Sequence, residues 1–442
     1  MIAVKIEVDV LVIGRGVAGV YAAYLLAKAG KKVAIAAKGC GATPLYSGCL
    51  DVLAYVPEIQ GAVQSPLAGM DVLAEVNERH PYVVAGGGSG EGAREIVEKA
   101  FAGLPEELEK LHVGSLDRNS LVLTSFGTLR PTAFVQWPMG PAVLDGSAKK
   151  ILLVGIEGYL DFNPVFSASM ASREAEKRGL GRLEFVPRRV VVGGAVGIPM
   201  LTPNIVASAL EDEGEFKKFE SELAELAKRE GAEVLLLPPI FSTTKLVERI
   251  RELESACGCR VGEVPSPPTS AAGMRILRAL RSVCERAGIR IYHVAGLEPV
   301  VRGREVEKAV GIRRGAFFEK AGGIEFEFEH CILATGDLVG GGVVREGAGG
   351  ELREAVFGLP LYSPEKPIAG FDPFDPRGQP FSKVGVLVDE DLRPVDRGGG
   401  VVYEDLYAAG AVLGCYDYVA EKSGMGVAIT TAYKAALSVL GR

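Results

Sequence analysis

The chain has 442 residues, 48% of them hydrophobic, and a formal net charge of −7. At roughly 100–200 residues per domain this length holds two or three packing units, and the acidic balance with scattered Lys and Arg gives no basic footprint for nucleic acid. No apolar run reaches the roughly 18 residues of a membrane span, and seven irregularly spaced cysteines and four scattered histidines argue against a disulfide framework or a metal centre.

In chain order, MIAVKIEVDVLVIG leads directly into a strand with no signal-type leader, which predicts a mature cytoplasmic start. Val8 to Ile13 is a nearly unbroken apolar run, the form of a parallel strand buried on both faces. A glycine loop, the Ala- and Leu-rich VAGVYAAYLLAKAG and the strand KKVAIAAKG complete a βαβ unit. From about residue 65 the pattern changes. AREIVEKAFAGLPEELEKLH reads as amphipathic helix and KKILLVGIEGYLDF as a buried strand. Thr202 as cap and Pro203 as first residue open a helix that runs on through the Glu- and Lys-rich stretch before the strand EVLLLPPI. VGEVPSPPTS (261–270) is a Pro-rich crossing, and GMRILRALRSVCERAG is a helix closed by Gly288. Successive strands follow to CILATGD, and EDLYAAGAV and GMGVAITTAYKAALSVL supply a last strand, a loop and the C-terminal helix.

Gly14-x-Gly16-x-x-Gly19 follows a strand and opens a helix. The first glycine permits the tight turn, the second lets a pyrophosphate approach the backbone, and the third allows close helix–strand packing. Arg15, Val17 and Ala18 complete the loop, and the helix start offers N–H groups to the anion. The acid that would bind a ribose after the second strand is missing; Ala37 and Lys38 stand there, which disfavours simple NAD selection. Two later segments point to flavin: Ala334, Thr335 and Gly336 of CILATGD, and Gly410 and Ala411 of LYAAGAV. Gly424 and Gly426 of SGMG would start the last helix with N–H groups aimed at the flavin pyrimidine, and Val294 is placed with this set. FAD is expected rather than FMN, because a mononucleotide leaves the loop without its pyrophosphate. VVVGGAVG (190–197) is rejected as a second dinucleotide site, since Val192 replaces its first glycine and Pro199 and Pro203 interrupt the helix.

The loop GCGATPLYSGCLD tests a redox disulfide and fails it: with Cys49 as second thiol, the C-x4-C partner position holds Pro44. Ser47, Gly48 and Cys49 are expected instead to line the flavin's ring-side loop. Cys257 and Cys259 are read as ordinary cysteines near a helix end, and no metal is expected. Hydride removal from a secondary alcohol needs a base and, for a phosphorylated substrate, a cation. Arg130 is the candidate for phosphate or flavin, and Asp161 the candidate to orient a base or cap the following helix. His80, before Pro81, is read as a turn residue.

The glycine loop, LYSGCLDVLAYVP (45–57), HPYVVAG (80–86), FGTLRPT (126–132), KKILLVGIEGYLDF (149–162), ATGDLVGGGVV (334–344), FGLPL (357–361) and DLYAAGAVLG (405–414) together resemble the second, or B, subunit of the anaerobic glycerol-3-phosphate dehydrogenases. FGTLRPT and GxxGxxDF lie outside the generic flavin fold and are the more specific part. The resemblance implies a flavin subunit of a three-subunit, quinone-linked complex oxidising glycerol 3-phosphate to dihydroxyacetone phosphate. It also implies a separate, catalytic flavoprotein subunit and an iron–sulfur subunit that anchors the assembly at the inner face of the membrane. A self-sufficient FAD oxidoreductase of the fumarate-reductase or amine-oxidase type, and a flavin electron-transfer subunit without its own substrate, remain the competing readings. The expected fold is α/β. A Rossmann-like FAD-binding domain with parallel sheet and β-meander takes 1–64, 268–345 and 400–442; an inserted α/β substrate or partner domain takes 65–267 and 346–399.

Overall fold

Val10–Ile13 and Val33–Ala37 are buried at every position, as strands covered on both faces must be. Each large aliphatic side chain so buried contributes about 1.5–3 kcal/mol of transfer free energy. The computed structural model describes the whole chain except residues 1–3, 58, 199, 242–243, 269, 315–319, 346, 348–349, 365–367, 373–374 and 376–377. It forms two compact units: residues 1–43, 51–109 and 279–442, and residues 44–50 and 110–278.

The first unit is built on a five-stranded parallel sheet in the order Arg290–His293, Val33–Ala37, Val10–Ile13, His330–Leu333, Leu406–Ala408. The helix Val17–Lys28 packs against the C-terminal helix Gly424–Val439 through small and aliphatic residues such as Ala22, Ala432 and Ala436. A meander of Gly296–Arg302, Glu305–Arg314 and Lys320–Glu327 is extended by Val4–Glu7, which pairs in parallel with its last strand. Parallel sheet and β-meander are both as the sequence predicts.

The two units divide the chain differently from the expected domains: 65–109 and 346–399 lie in the unit that holds the glycine loop. The reason is visible in the contacts. The helix Gly90–Ala102 lies against the C-terminal helix, and Tyr21 donates its hydroxyl to the Ala100 carbonyl at 2.6 Å. Downstream, Val386 bridges Leu413, and the Ala408 N–H donates to the Leu392 carbonyl. An amphipathic pattern states that a face is buried, not what buries it.

The second unit has a four-stranded parallel sheet, ordered Glu184–Val190, Lys150–Ile156, Val234–Leu237, Arg260–Glu263. Thr202 caps the helix Pro203–Ala209 as expected, but the helix stops there and Asp212 caps a second one, Glu213–Glu230. In the rejected glycine run the Gly194 N–H binds the Glu215 carboxylate at 3.0 Å, so the chain's own acid occupies that turn.

Candidate functional site

Gly14 sits at φ 115°, where a Cβ would be driven into the Ala334 carbonyl; a Cβ on Gly19 would strike the Gly14 carbonyl. Both positions are therefore closed to any side chain. Gly16, the N-cap of the helix Val17–Lys28, offers no side-chain cap, and the nearest atom to a Cβ there is Thr43 Oγ1 at 3.5 Å. The helix start has no acid in its first turn and leaves its leading N–H groups facing outward for an anion. Arg15 donates from Nε to the Gly39 carbonyl at 3.0 Å, tying the loop to the end of the second strand. Ala37 is buried and accepts from Val294 N–H at 3.1 Å, while Lys38 is exposed.

The distant segments return to this loop. Ala334 N–H donates to the Ile13 carbonyl at 2.8 Å, which sets Thr335 and Gly336 (φ 84°) beside it. Gly410 at φ 80° packs on Ala18, and its N–H binds Thr431 Oγ1 at 2.9 Å; Ala411 follows in the same turn. Thr335 Oγ1 is buried with no hydrogen-bond partner among the described residues. SGMG departs from expectation. Gly426 donates its N–H to the Asp51 carbonyl at 2.8 Å and packs on Tyr82 and Val52, so that donor is not available to a cofactor.

A buried polar cluster lies between these segments. Cys415 and Lys422 both hold left-handed backbone (φ 67° and 53°), uncommon for residues with side chains, and bracket Tyr416 to Glu421. His80 is 0% exposed. Its Nδ1 accepts from Tyr82 N–H at 3.1 Å, so Nε2 carries the proton and donates to Glu421 at 3.0 Å. Glu421 also accepts from Asp417 N–H and Ser423 Oγ. His80 thus caps its helix, as a turn residue would, but it also wires that helix to the 416–423 segment. Tyr416 and Asp417 are each 1% exposed, and the Tyr416 hydroxyl and Asp417 Oδ2 have no hydrogen-bond partner among the described residues. Burial, followed by the neighbouring Asp337 charge, pushes the Tyr416 hydroxyl well above its ordinary range. Burial likewise raises the Asp417 carboxyl, against the opposing hydrogen bond from Ala420 N–H. Tyr418 bonds to Asp337, whose Oδ1 accepts from Gly340 N–H. Sequence reasoning missed Tyr416 and Asp417. The signal available was a CYDY stretch shortly after the strand Leu406–Ala408.

Next to this segment is a cavity of about 180 Å³, lined in part by Pro81 and Gly414, the chain neighbours of His80 and Cys415. Arg79 and Arg397 line it with Val84, Val386 and Leu413. Among the described residues neither arginine has a carboxylate partner. Asp396 also lines the cavity, but its Oδ1 is held by the N–H groups of Gly398 and Gly400.

The FAD binding domain family matches residues 9–427. The second (B) subunit of the anaerobic glycerol-3-phosphate dehydrogenase of Yersinia enterocolitica is 31% identical over 444 residues, 96% of each chain. The probable counterpart in Halobacterium salinarum is 30% identical over 441 residues, 97% of each chain. That of Vibrio cholerae is 28% identical, covering 98% of this chain and 96% of its own. The chain belongs to this second-subunit family of the anaerobic glycerol-3-phosphate dehydrogenases.

As a member it is an FAD-dependent oxidoreductase, and its residues suit that cofactor. The Gly14–Gly19 cradle excludes side chains where a pyrophosphate needs backbone, and Thr335 Oγ1 is a buried hydroxyl lacking a partner. We propose that Gly14 to Gly19 would hold the pyrophosphate and Thr335, Gly336, Gly410 and Ala411 the remainder of the FAD.

Ser47, Gly48 and Cys49 belong to the second unit, where Cys49 pairs with Val135 and its buried thiol packs in the apolar core. Gly48 (φ 101°) lies against Met139. All seven cysteines are free thiols. Val294 turns its side chain onto Gly311. Arg130 is half-buried on the strand Leu129–Thr132, and Asp161 is exposed in the loop after Lys150–Ile156. The cap expected of Asp161 belongs to Asn163, whose Oδ1 accepts from Val165 and Phe166 N–H groups. No described helix is long and apolar enough to cross a membrane.

Proposed function

We propose that the chain is the flavin subunit of a quinone-linked glycerol-3-phosphate dehydrogenase, oxidising the secondary alcohol of glycerol 3-phosphate to the ketone. The observation that carries the reading is that relatives named as this subunit of the enzyme align along 96–97% of the chain at 30–31% identity. The subunit name of these relatives implies a multi-subunit complex; we take the partners to be a catalytic flavoprotein and an iron–sulfur protein that hold the assembly at the inner face of the membrane.

The chemistry that bound FAD supplies is hydride acceptance. The chain's own residues bind the phosphate, take the hydroxyl proton and exclude water. Arg79 and Arg397 replace Arg130 as our candidates for the phosphate, because both line one cavity and neither is committed to a carboxylate among the described residues. The cavity, about 180 Å³, has the volume of roughly six waters at about 30 Å³ each, room for a small phosphate ester. Asp417 replaces Asp161 as the base: its Oδ2 is buried and unpartnered, and burial raises its pKa toward the range where a carboxylate accepts a proton effectively.

The test is anaerobic reduction of the bound flavin by glycerol 3-phosphate, with and without the partner subunits. Reduction in the assembly is expected. Reduction by an unrelated alcohol alone, with glycerol 3-phosphate inert, overturns the reading. In R79Q/R397Q the KM for glycerol 3-phosphate should rise by about tenfold or more with kcat little changed, since a charge-assisted contact is worth about 1.5–3 kcal/mol. An unchanged KM moves the phosphate out of this cavity.

A further inference from the structure

Cys257 and Cys259, which the sequence presents as ordinary cysteines near a helix end, do end a helix, but they are not separate thiols. Cys257 is the last residue of the helix Leu246–Cys257, Gly258 follows in left-handed backbone at φ 65°, and Cys259 stands directly before the strand Arg260–Glu263. Glycine takes that conformation without steric cost, which is why it closes so many helices. The turn is held from both sides. Gly258 N–H donates to the Glu254 carbonyl at 3.0 Å, and Val261 N–H donates to the Glu254 carboxylate at 3.2 Å. With helix end and strand start so fixed, the two side chains meet, and the Cys257 thiol hydrogen-bonds the Cys259 sulfur. Both residues are half-buried, packed on the apolar core that holds Leu236 and Leu253 and still reached by solvent. Of the other five cysteines four are buried, and only Cys40 is comparably accessible.

The surroundings give the two sulfurs different roles. The hydrogen bond to Cys259, followed by burial, raises the Cys257 thiol. The same bond lowers the Cys259 thiol, against burial and the Glu254 carboxylate. Position agrees with this order, because the carbonyls at a helix C-terminus disfavour a thiolate on its last residue. Among the described residues no third His, Cys, Asp or Glu completes a metal site with the pair, so two sulfurs in contact suit a bond to each other better than a shared cation. We propose that Cys257 and Cys259 form a redox-active dithiol that closes to a disulfide on reaction with hydrogen peroxide, an oxidant small enough for half-buried thiols. The Cys259 thiolate attacks the O–O bond, forming an S–O bond and, with one proton, releasing water. The Cys257 sulfur then displaces the hydroxyl of the Cys259 sulfenic acid, forming the S–S bond and releasing a second water with the Cys257 proton. Two thiol protons and two electrons leave the pair, and the peroxide is reduced to two waters. Neither cysteine belongs to the FAD cradle or to the reaction proposed above.

The test is titration of the full FAD-loaded chain with hydrogen peroxide, followed by alkylation, digestion and mass measurement of the peptide that carries both cysteines. Wild type is compared with C257S and C259S, and Cys40 serves as the internal reference. In the wild type the pair should close within one peptide, losing two hydrogens, several-fold faster than Cys40 is oxidised, because the rate follows the thiolate fraction. Dithiothreitol should reopen it. In C257S the sulfenic acid has no thiol beside it, so Cys259 should be trapped by a dimedone probe. In C259S, Cys257 should remain reduced under the same treatment. A wild-type pair that stays reduced while Cys40 is oxidised overturns the proposal, as does a bond that joins two chains or direct passage to sulfinic acid. Oxidation of Cys257 in C259S as fast as in the wild type overturns it too. The wild-type product decides the matter without a variant, should either serine chain fail to fold.

Discussion

In the proposed mechanism Asp417 combines a structural and a chemical duty on one side chain. Oδ1 caps the short helix Tyr418–Glu421 through Val419 and Ala420 N–H groups, while Oδ2 is buried and unpaired. Leaving a buried polar atom unsatisfied costs about 1–3 kcal/mol, more when it is charged. Asn keeps the cap and loses the charge, so D417N separates the two duties. The sign follows from the raised folded pKa: the penalty is absent below the unfolded value of about 3.9, sets in between that value and the raised one, and is complete above it. D417N should therefore match wild type in chemical denaturation at low pH and exceed it at pH near 8, while substrate-dependent flavin reduction falls by at least about a hundredfold, in the range lost with a general base. In the wild type the rate should drop as pH falls through the raised pKa. A variant that loses stability and keeps activity would make Asp417 a structural residue only.

Between elements, the last strand of the second unit's sheet and the helix after it are joined by a buried ion pair. Arg275 grips Glu263 with both terminal nitrogens, Nη1 to Oε2 at 2.6 Å and Nη2 to Oε1 at 2.7 Å, and Glu263 is 0% exposed. The fork geometry offsets part of the desolvation of both charges. E263L alone strands the guanidinium and should cost about 3–5 kcal/mol in urea unfolding, whereas E263L/R275M should recover most of that loss. Equal loss in the single and double variants would show that packing, not the stranded charge, sets the cost. Glu263 lies within the Pro-rich crossing, which reads from its composition as a linker, and Arg275 just beyond it; nothing local announces that the two will meet.

For the molecule as a whole, the FAD contacts we propose come from three distant segments, Gly14–Gly19 and, more than 300 residues later, Thr335–Gly336 and Gly410–Ala411. Loading the stripped protein with FAD should slow amide exchange in all three segments together and raise Tm with ligand concentration. The flavin released on denaturation should be FAD and not FMN. Protection confined to the Gly14 loop would remove the later segments from the site.

The glycine loop after the first buried strand and the buried parallel strands are legible in the residues themselves, because each depends on short-range constraints. A glycine at φ 115° or a strand covered on both faces leaves its mark within a few residues. The family is legible too, through motifs spread along the whole length. Only the packed chain shows which unit holds 65–109 and 346–399, that Gly426 donates to Asp51 and that Cys49 sits in a core. Packing also converts His80 from a turn residue into the wire to Glu421 and leaves the oxygens of Tyr416 and Asp417 unpaired. Those outcomes depend on partners far away in the chain, and burial without a partner is a property of the folded state that no local pattern encodes. VLVIGRGVAG names its ligand class as a string of residues; CYDY acquires its meaning only once it is folded.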